Sequence, residues 1–237
     1  MASLAEALVR TFLPACCSLC REPLPWQGSE AGVCTACWHA VREHTPVCPV
    51  CGDPDSAAGG PCLACASDPP AWCAAAAVGP YEGTLRDLIL LFKQGRRDEL
   101  ARPLAARLVR AYRRTGWPRP TAVVPVPMSW GRRLRRGFNQ AELLARELAA
   151  VLESRTVTAL TRRHGRPQAG QGRSARRRLS RSSFVARRPV AGAVLLIDDV
   201  LTTGATASAC SHVLQAAGAD DVYVLTLART APPGRIP

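Results

Sequence analysis

Two hydrophobic rhythms run along the chain, one of period two or shorter and one of helical period. Val194-Leu195-Leu196-Ile197, following Gly192-Ala193, is an unbroken apolar run and reads as a strand buried on both faces of a parallel sheet. Ala122-Val123-Val124 and Val222-Tyr223-Val224-Leu225-Thr226-Leu227 read the same way, and residues 74–81 predict a further strand and turn. Between these runs the spacing changes. Leu85, Leu88, Ile89, Leu91 and Phe92 mark a helix ending near Gly95, and Leu100, Leu104, Leu108 and Tyr112 mark another ending near Gly116. Asn139 is a suitable N-cap for a third helix reaching about Leu152, and a fourth runs from about Ala205 to Gly218. Strands interleaved with helices predict an α/β fold, a parallel sheet flanked by helices. At the front, Leu4, Leu8 and Phe12 recur at helical spacing and predict a short amphipathic helix packed on the body. The proline-rich tail after Thr230 is expected to fray.

Composition narrows the class. A chain of 237 residues that is 47% apolar suits one or two folded domains and argues against disorder. It contains no run of eighteen uncharged apolar residues, and Glu6 and Arg10 interrupt what would be a signal-peptide core, so the expectation is a cytoplasmic protein without membrane insertion. The formal charge of +13 is local: residues 132–188 hold sixteen arginines against Glu142, Glu147 and Glu153, which accounts for the whole excess. Such a belt is the footprint of a polyphosphate or nucleic-acid partner, whereas a solubilising surface mixes both signs. Its aromatics are only Phe138 and Phe184, so a nucleic acid would be held by its backbone rather than by base stacking.

Ten of the eleven cysteines precede residue 74, and eight form four C-x-x-C pairs: Cys17 with Cys20, Cys34 with Cys37, Cys48 with Cys51, and Cys62 with Cys65. A C-x-x-C turn aims two thiolates at one point, and two such turns close a tetrahedral structural zinc site. Thirteen residues separate the first two pairs and ten the last two, so two zinc ions bound in sequence are the simplest assignment. A cross-braced pairing fits the same spacing. Four repeats outside a thioredoxin-like context argue against redox chemistry. His39 and His44 lie close enough in sequence to replace a thiolate, although incidental surface histidines are commoner. Residues 1–73 thus form a front of one helix and a double zinc knuckle, which buries little core and depends on metal, ahead of a second domain over 74–237.

The chemistry of the second domain concentrates where the 194–197 strand meets Asp198-Asp199-Val200-Leu201-Thr202-Thr203-Gly204-Ala205-Thr206. Ligands of parallel sheets collect at strand carboxyl ends, where these acids are expected. Adjacent carboxylates in an apolar strand need hydrogen-bond donors or a cation, for which sugar hydroxyls and Mg²⁺ are natural partners. The hydroxyl-rich turn beyond them opens a helix, and helix-start amides with the positive dipole end attract phosphate. Acids for the hydroxyls and a turn for the phosphate describe a ribose 5-phosphate site. No nucleotide P-loop motif competes. Val124-Pro125-Val126-Pro127 ends a strand in a stiff turn suited to a ligand loop. Two arginine-rich stretches, 132–140 and 166–178, fall between these phosphate-facing segments and are expected to close over a ligand.

The run from Val194 to Thr206 resembles the 5-phosphoribosyl 1-pyrophosphate (PRPP) motif of type I phosphoribosyltransferases. That resemblance implies ribose-hydroxyl contacts from Asp198 and Asp199, a 5-phosphate cradle from Thr202, Thr203, Gly204, Ala205 and Thr206, and a pyrophosphate loop at Val126, Pro127 and Met128. It implies Mg²⁺ with PRPP, and catalytic roles for Asp198, Asp199, Arg135 and Arg136, with Lys93 also placed to steady departing charge. Taken from Cys17 to Thr230, the chain is similar to the ComF family, through Cys48-Pro49-Val50-Cys51-Gly52, Val124-Pro125-Val126-Pro127, Arg135-Arg136-Gly137-Phe138-Asn139-Gln140, Gln168-Ala169-Gly170 and the acid motif. Lys93-Gln94-Gly95 departs from that pattern, where relatives carry an aromatic after the lysine. The resemblance implies a phosphoribosyltransferase-like domain behind a zinc-binding front, associated with competence, DNA uptake and single-stranded DNA. An active transferase on an unidentified acceptor, or a zinc-knuckle adaptor with an idle sugar site, are the alternatives.

Overall fold

A computed structural model describes residues 15–24, 29–54, 60–94, 97–163 and 183–230. The front is built from short pieces: β1 (Ser29–Glu30) pairs with β2 (Val33–Cys34) in an antiparallel ribbon, followed by helices α1 (Thr35–His39) and α2 (Leu63–Ser67). The body follows with β3 (Ala74–Pro80), α3 (Gly83–Lys93), a 3₁₀ turn over Asp98–Leu100, α4 (Ala101–Thr115) and β4 (Ala122–Pro125). It continues through α5 (Trp130–Arg136), α6 (Gln140–Val151), β5 (Arg155–Thr156), β6 (Leu160–Arg162) and β7 (Phe184–Ala186). It ends with β8 (Gly192–Leu201), α7 (Ala205–Ala216) and β9 (Ala219–Arg229).

Among the described residues the central sheet has five strands in the order β3-β9-β8-β4-β5, every pairing parallel. This is the parallel sheet flanked by helices expected from the apolar runs. Side chains of β8 alternate between its two faces as the period of a strand requires. Leu195 and Ile197 join Leu85, Leu88, Leu104, Leu108 and Leu144 of α3, α4 and α6, whereas Val194 and Leu196 join Cys210 and Leu214 of α7 on the opposite face. Both faces are dry, which is why the strand has no polar position before Asp198.

The helices fall where their spacing places them. Gly116 ends α4 in the left-handed conformation at φ 67°, a geometry that glycine adopts without a Cβ clash. The side chain of Asn139 caps α6 by accepting the Ala141 N–H at 3.2 Å. The body also contains elements beyond those expected: the arginine stretch at 130–136 is itself a short helix, β5 adds an edge to the sheet, and β6 and β7 pair antiparallel in a separate two-stranded sheet. The predicted helix over residues 3–13, the loop over 166–178 and the tail beyond Thr230 lie outside the described residues.

Strand β8 also runs further than expected. The two acids sit inside it, not at its end, because the backbone goes on pairing with β9 through Val200 and Leu201. Strand β4 stops opposite Ile197 at Pro125. The acids therefore lie past the end of one neighbouring strand while remaining laddered to the other, and the gap beyond β4 becomes the cleft described below.

Candidate functional site

Alternation along β8 sends the two acids to different faces. Asp199 turns toward α3, whose last residue is Lys93, and the Lys93 ammonium lies 3.0 Å from its carboxylate with both side chains 19% exposed. A cation in the last helical turn is also favoured by the helix dipole. Phe138 braces that turn from outside, its ring 5.8 Å from that of Phe92. Asp198 turns the other way, toward Cys210 on α7, and accepts the Asp199 N–H at 2.8 Å. Burial raises its carboxyl to about 7, with the Asp199 charge adding to the effect and Lys93 and Arg132 opposing it. A cation placed beside Asp198 would favour its charged form.

The cleft around them has a volume of about 170 Å³ and is lined by Lys93, Val126, Pro127, Met128, Arg132, Arg136, Asn139, Gln140, Arg162, Asp198, Asp199 and Thr206. That is smaller than the ~300–1,000 Å³ of sites for drug-sized ligands. The first of the three residues expected to form a pyrophosphate loop is held from two sides. Val126 donates its N–H to Ile197 O at 2.9 Å, and its carbonyl accepts from Asn139 Nδ2 at 3.1 Å. Asn139 thus caps α6 and pins the loop at once. Of the two arginines singled out from the sequence, Arg136 lines the cleft and reaches Gln140 Oε1 at 3.3 Å, while Arg135 is exposed and outside the lining.

Two lining residues, Arg132 and Gln140, belong to the 132–140 stretch expected to close over a ligand, and a third, Arg162, is not marked out by the sequence. Arg162 is presented by the β6–β7 pair, its guanidinium 5.8 Å from the Phe184 ring centroid. Gln140 is 1% exposed and its Nε2 has no hydrogen-bond partner, which leaves a donor at the cleft wall.

The turn after β8 splits between two surroundings. Thr206 lines the acid cleft, whereas Thr202, Thr203 and Gly204 line a neighbouring cavity of about 300 Å³ whose other walls are Cys51, Ala64, Cys65, Ser67, Asp68, Pro70, Trp72 and Arg229. Thr202 and Thr203 are exposed. Gly204 has φ 77° and lies under the Trp72 indole, where an added Cβ would come within 2.6 Å of the ring.

The cysteines gather into two groups of four, Cys17, Cys20, Cys34 and Cys37, then Cys48, Cys51, Cys62 and Cys65, each with its sulfurs within 4.8 Å of one another. The pairing is therefore sequential, not cross-braced, and neither His39 nor His44 takes part. The sulfurs fit zinc: Cys17 to Cys37 is 3.8 Å, Cys20 to Cys34 is 3.7 Å and Cys51 to Cys62 is 3.6 Å, against about 3.8 Å for the edge of a tetrahedron with ~2.3 Å zinc–sulfur bonds. Amides point at the sulfurs in both groups, from Leu19 and Cys34 to Cys17 and from Cys51 and Cys62 to Cys48. Burial raises the Cys17 and Cys48 thiols, but these N–H donors outweigh it and bring them down to about 6 and about 7. Burial and the neighbouring thiols push Cys37 up to about 12, as expected of clustered thiols that need a cation to ionise together. Cys73 is exposed and donates to Asp221 at 3.2 Å, and Cys210 is buried on α7, so both stand outside the two groups.

What these features define is a double zinc-ribbon protein with a parallel α/β body, and comparison with known proteins agrees. The Double zinc ribbon domain family matches residues 8–66. The DNA utilization protein YhgH of Salmonella typhi is 38% identical over 92% of this chain and 98% of its own, and that of Escherichia coli K12 is 36% identical over the same shares. Competence protein F of Haemophilus influenzae is 31% identical over 85% of this chain and 92% of its own. The chain belongs to the ComF family. Among solved structures, orotate phosphoribosyltransferase from Aeropyrum pernix is 20% identical over 56% of this chain and 59% of that one, at a TM-score of 0.32, an overlap too slight to carry an argument about activity. No helix among the described residues is long and apolar enough to cross a membrane.

Proposed function

We propose that the cleft binds PRPP with Mg²⁺ and that the protein works, through that binding, in the handling of DNA taken up by the cell. The observation that carries the first part is the convergence of Asp198, Asp199, Lys93, Arg132, Arg136 and Thr206 on one small polar cleft. Asp198 and Asp199 would accept from the ribose hydroxyls, the turn from Thr202 to Thr206 would take the 5-phosphate, and Val126, Pro127 and Met128 with Lys93 and Arg136 would face the pyrophosphate. The carboxylates are suited to Mg²⁺ as hard oxygen ligands, and the ion would supply charge neutralisation across the pyrophosphate. The second part is supported by relatives named for DNA utilization and competence. It is also supported by the exposed arginines Arg132, Arg133 and Arg135 on α5, beside a site that offers few aromatic surfaces to a base.

Phosphoribosyl transfer to an acceptor is a second reading, favoured by the cations gathered beside the acids. The bond between the ribose anomeric carbon and the pyrophosphate oxygen would break with its electron pair leaving on pyrophosphate. The acceptor would then bond to that carbon and lose its proton to the departing pyrophosphate or to water. Arg136 and Lys93 would steady the departing charge, and the acids would favour positive charge on the ribose.

Calorimetry with PRPP and Mg²⁺ tests the reading. Heat of binding is expected with the natural chain and none with Asp198→Asn combined with Asp199→Asn; equal heats from both would remove the acids from the site. Release of pyrophosphate on adding one nucleobase would promote the transferase. A steep loss of oligonucleotide affinity with salt would support backbone contact by the arginines.

A further inference from the structure

The two zinc ribbons touch different parts of the body, and only the second reaches the turn proposed to hold the 5-phosphate. Trp72 makes the connection. Its indole N–H donates to the carbonyl of Val50, inside the Cys48 to Cys51 turn, at 2.8 Å, while the far edge of the same ring covers Gly204. The ring is 7% exposed and belongs to the core face that holds α7, so it is fixed on both sides. A second connection runs through Arg229. Its guanidinium lies 3.2 Å from Cys51 Sγ, is nearly buried, and its strand position pairs with Leu201, the residue just before the turn. Four thiolates on one zinc carry a net negative charge, and Arg229 is the cation beside them. Gly52 completes the fit: with φ 68°, its missing side chain lets the knuckle approach Ala75 O on β3, where a Cβ would come within 2.6 Å. The second cysteine group, Trp72, Arg229 and the threonine turn therefore enclose one cavity.

We infer that the metal-loaded second ribbon is the rear wall of the phosphate turn, with Trp72 and Arg229 as positioning residues, so that metal loss there loosens Thr202 to Thr206 while metal loss at the first ribbon does not. The second ribbon holds Val50 and Cys51 in place only while its four sulfurs are gathered. Release of the metal frees the Val50 carbonyl from Trp72 and leaves Arg229 without its anionic neighbour. The turn then loses the ring that covers Gly204. The ligand consequence rests on the PRPP reading above, but the mechanical coupling does not.

The test is amide hydrogen exchange of the peptide spanning the turn, in the full chain, with zinc counted by elemental analysis. Cys65→Ser removes the second metal and is expected to speed exchange there about tenfold, the change given by about 1.4 kcal/mol of lost local stability. Trp72→Ala should do the same with both metals retained, Trp72→Phe should restore most of the protection by keeping a ring over Gly204, and Cys37→Ser should leave the turn as in the natural chain. If Cys65→Ser fails to fold, Trp72→Ala and its phenylalanine rescue decide the matter. Natural exchange in Trp72→Ala, or equal loosening in Cys37→Ser and Cys65→Ser, would overturn the inference. A natural chain that shows no PRPP heat would sink the ligand reading and leave the exchange result standing.

Discussion

The first and second ribbons have the same ligand set, the same C-x-x-C turns and the same N–H donors on sulfur, yet they pack against different things. Cys17, Val33, Cys34 and Trp38 of the first merge with Leu85, Leu104 and Leu108 in the main hydrophobic core. Arg107 of α4 stacks over Trp38 at 5.2 Å and donates to its carbonyl, and Arg110 and Arg114 join Arg107 on Glu43. Arg97 reaches back to Ser18 and Ala31 at 3.0 Å each. The second ribbon shares no apolar cluster with the body; Cys48, Cys51 and Cys65 form a small cluster with Val50 and Cys62 alone. It meets the body instead through Gly52 against Ala75 and through Trp72 and Arg229, next to the turn proposed to hold phosphate. A repeated metal module is thus built into the main core in one copy and joined to the body by a few polar and ring contacts in the other, and its neighbours, not its ligands, make the difference.

The largest expected contrast lies in stability. Cys17→Ser removes a fully buried ligand from the main core and should cost more than about 4 kcal/mol, the range reached when a mutation removes a metal from a packed site. Cys51→Ser should lower the thermal midpoint far less; similar losses in calorimetric scans would erase the distinction between the copies. Next comes a crossed pair. Arg107→Ala should cost about 2 kcal/mol of stability through its partly buried charged hydrogen bonds and leave ligand affinity alone. Lys93→Ala should reverse this, weakening PRPP binding about tenfold or more with little change in midpoint, since a cation facing a ligand phosphate contributes about 1.5–3 kcal/mol. Denaturant titration and calorimetry on both variants read the cross directly.

A smaller effect sharpens the second half of the contrast. Gly204→Ala places a Cβ at φ 77° against the Trp72 ring, at a backbone cost of about 1–2 kcal/mol, and should weaken phosphate binding while both zinc ions stay in place. Retained affinity would show that the ring and turn are not coupled. The smallest effect is electrostatic. The Asp198 carboxyl is raised to about 7 from an ordinary 3.8, so the stability associated with its neutral form is complete below the unfolded value and is lost as pH rises through 7. Asp198→Asn should therefore stabilise the ligand-free chain by about 1 kcal/mol at pH 8, or about 2–4 °C, and by almost nothing at pH 4, while abolishing PRPP binding. A thermal midpoint unchanged at both pH values would contradict the raised carboxyl.

Much of this was readable from residue order, because the strongest signals were local. The run 194–197 had to be dry on both sides, the leucines of α3 and α4 repeat at helical spacing, and Gly116 and Asn139 mark helix ends by their own chemistry. What escaped depended on distant partners. The sequential zinc pairing was open since every C-x-x-C turn is alike, and only the packing of each ribbon separates the choices. Strand β8 continues through two acids because β9 supplies backbone hydrogen bonds whatever the side chains are. Arginines 132–136 form a helix on a segment whose polarity suited a loop equally well, with Trp130 and Leu134 left outside at 66% and 78% exposure. Trp72 carries no local signal in the sequence; only the fold brings Val50 and Gly204 to opposite edges of its ring.

The central claim is that the acid cleft and the turn beside it grip a phosphorylated, pyrophosphorylated ribose between them, and phosphorus NMR of PRPP titrated with the zinc-loaded chain and Mg²⁺ addresses it most directly. The 5-phosphate and both pyrophosphate resonances should all shift or broaden in the natural chain. Gly204→Ala should relieve the first selectively and Lys93→Ala the other two. Three resonances left unmoved by the natural protein, or moved alike by all three chains, would contradict the account.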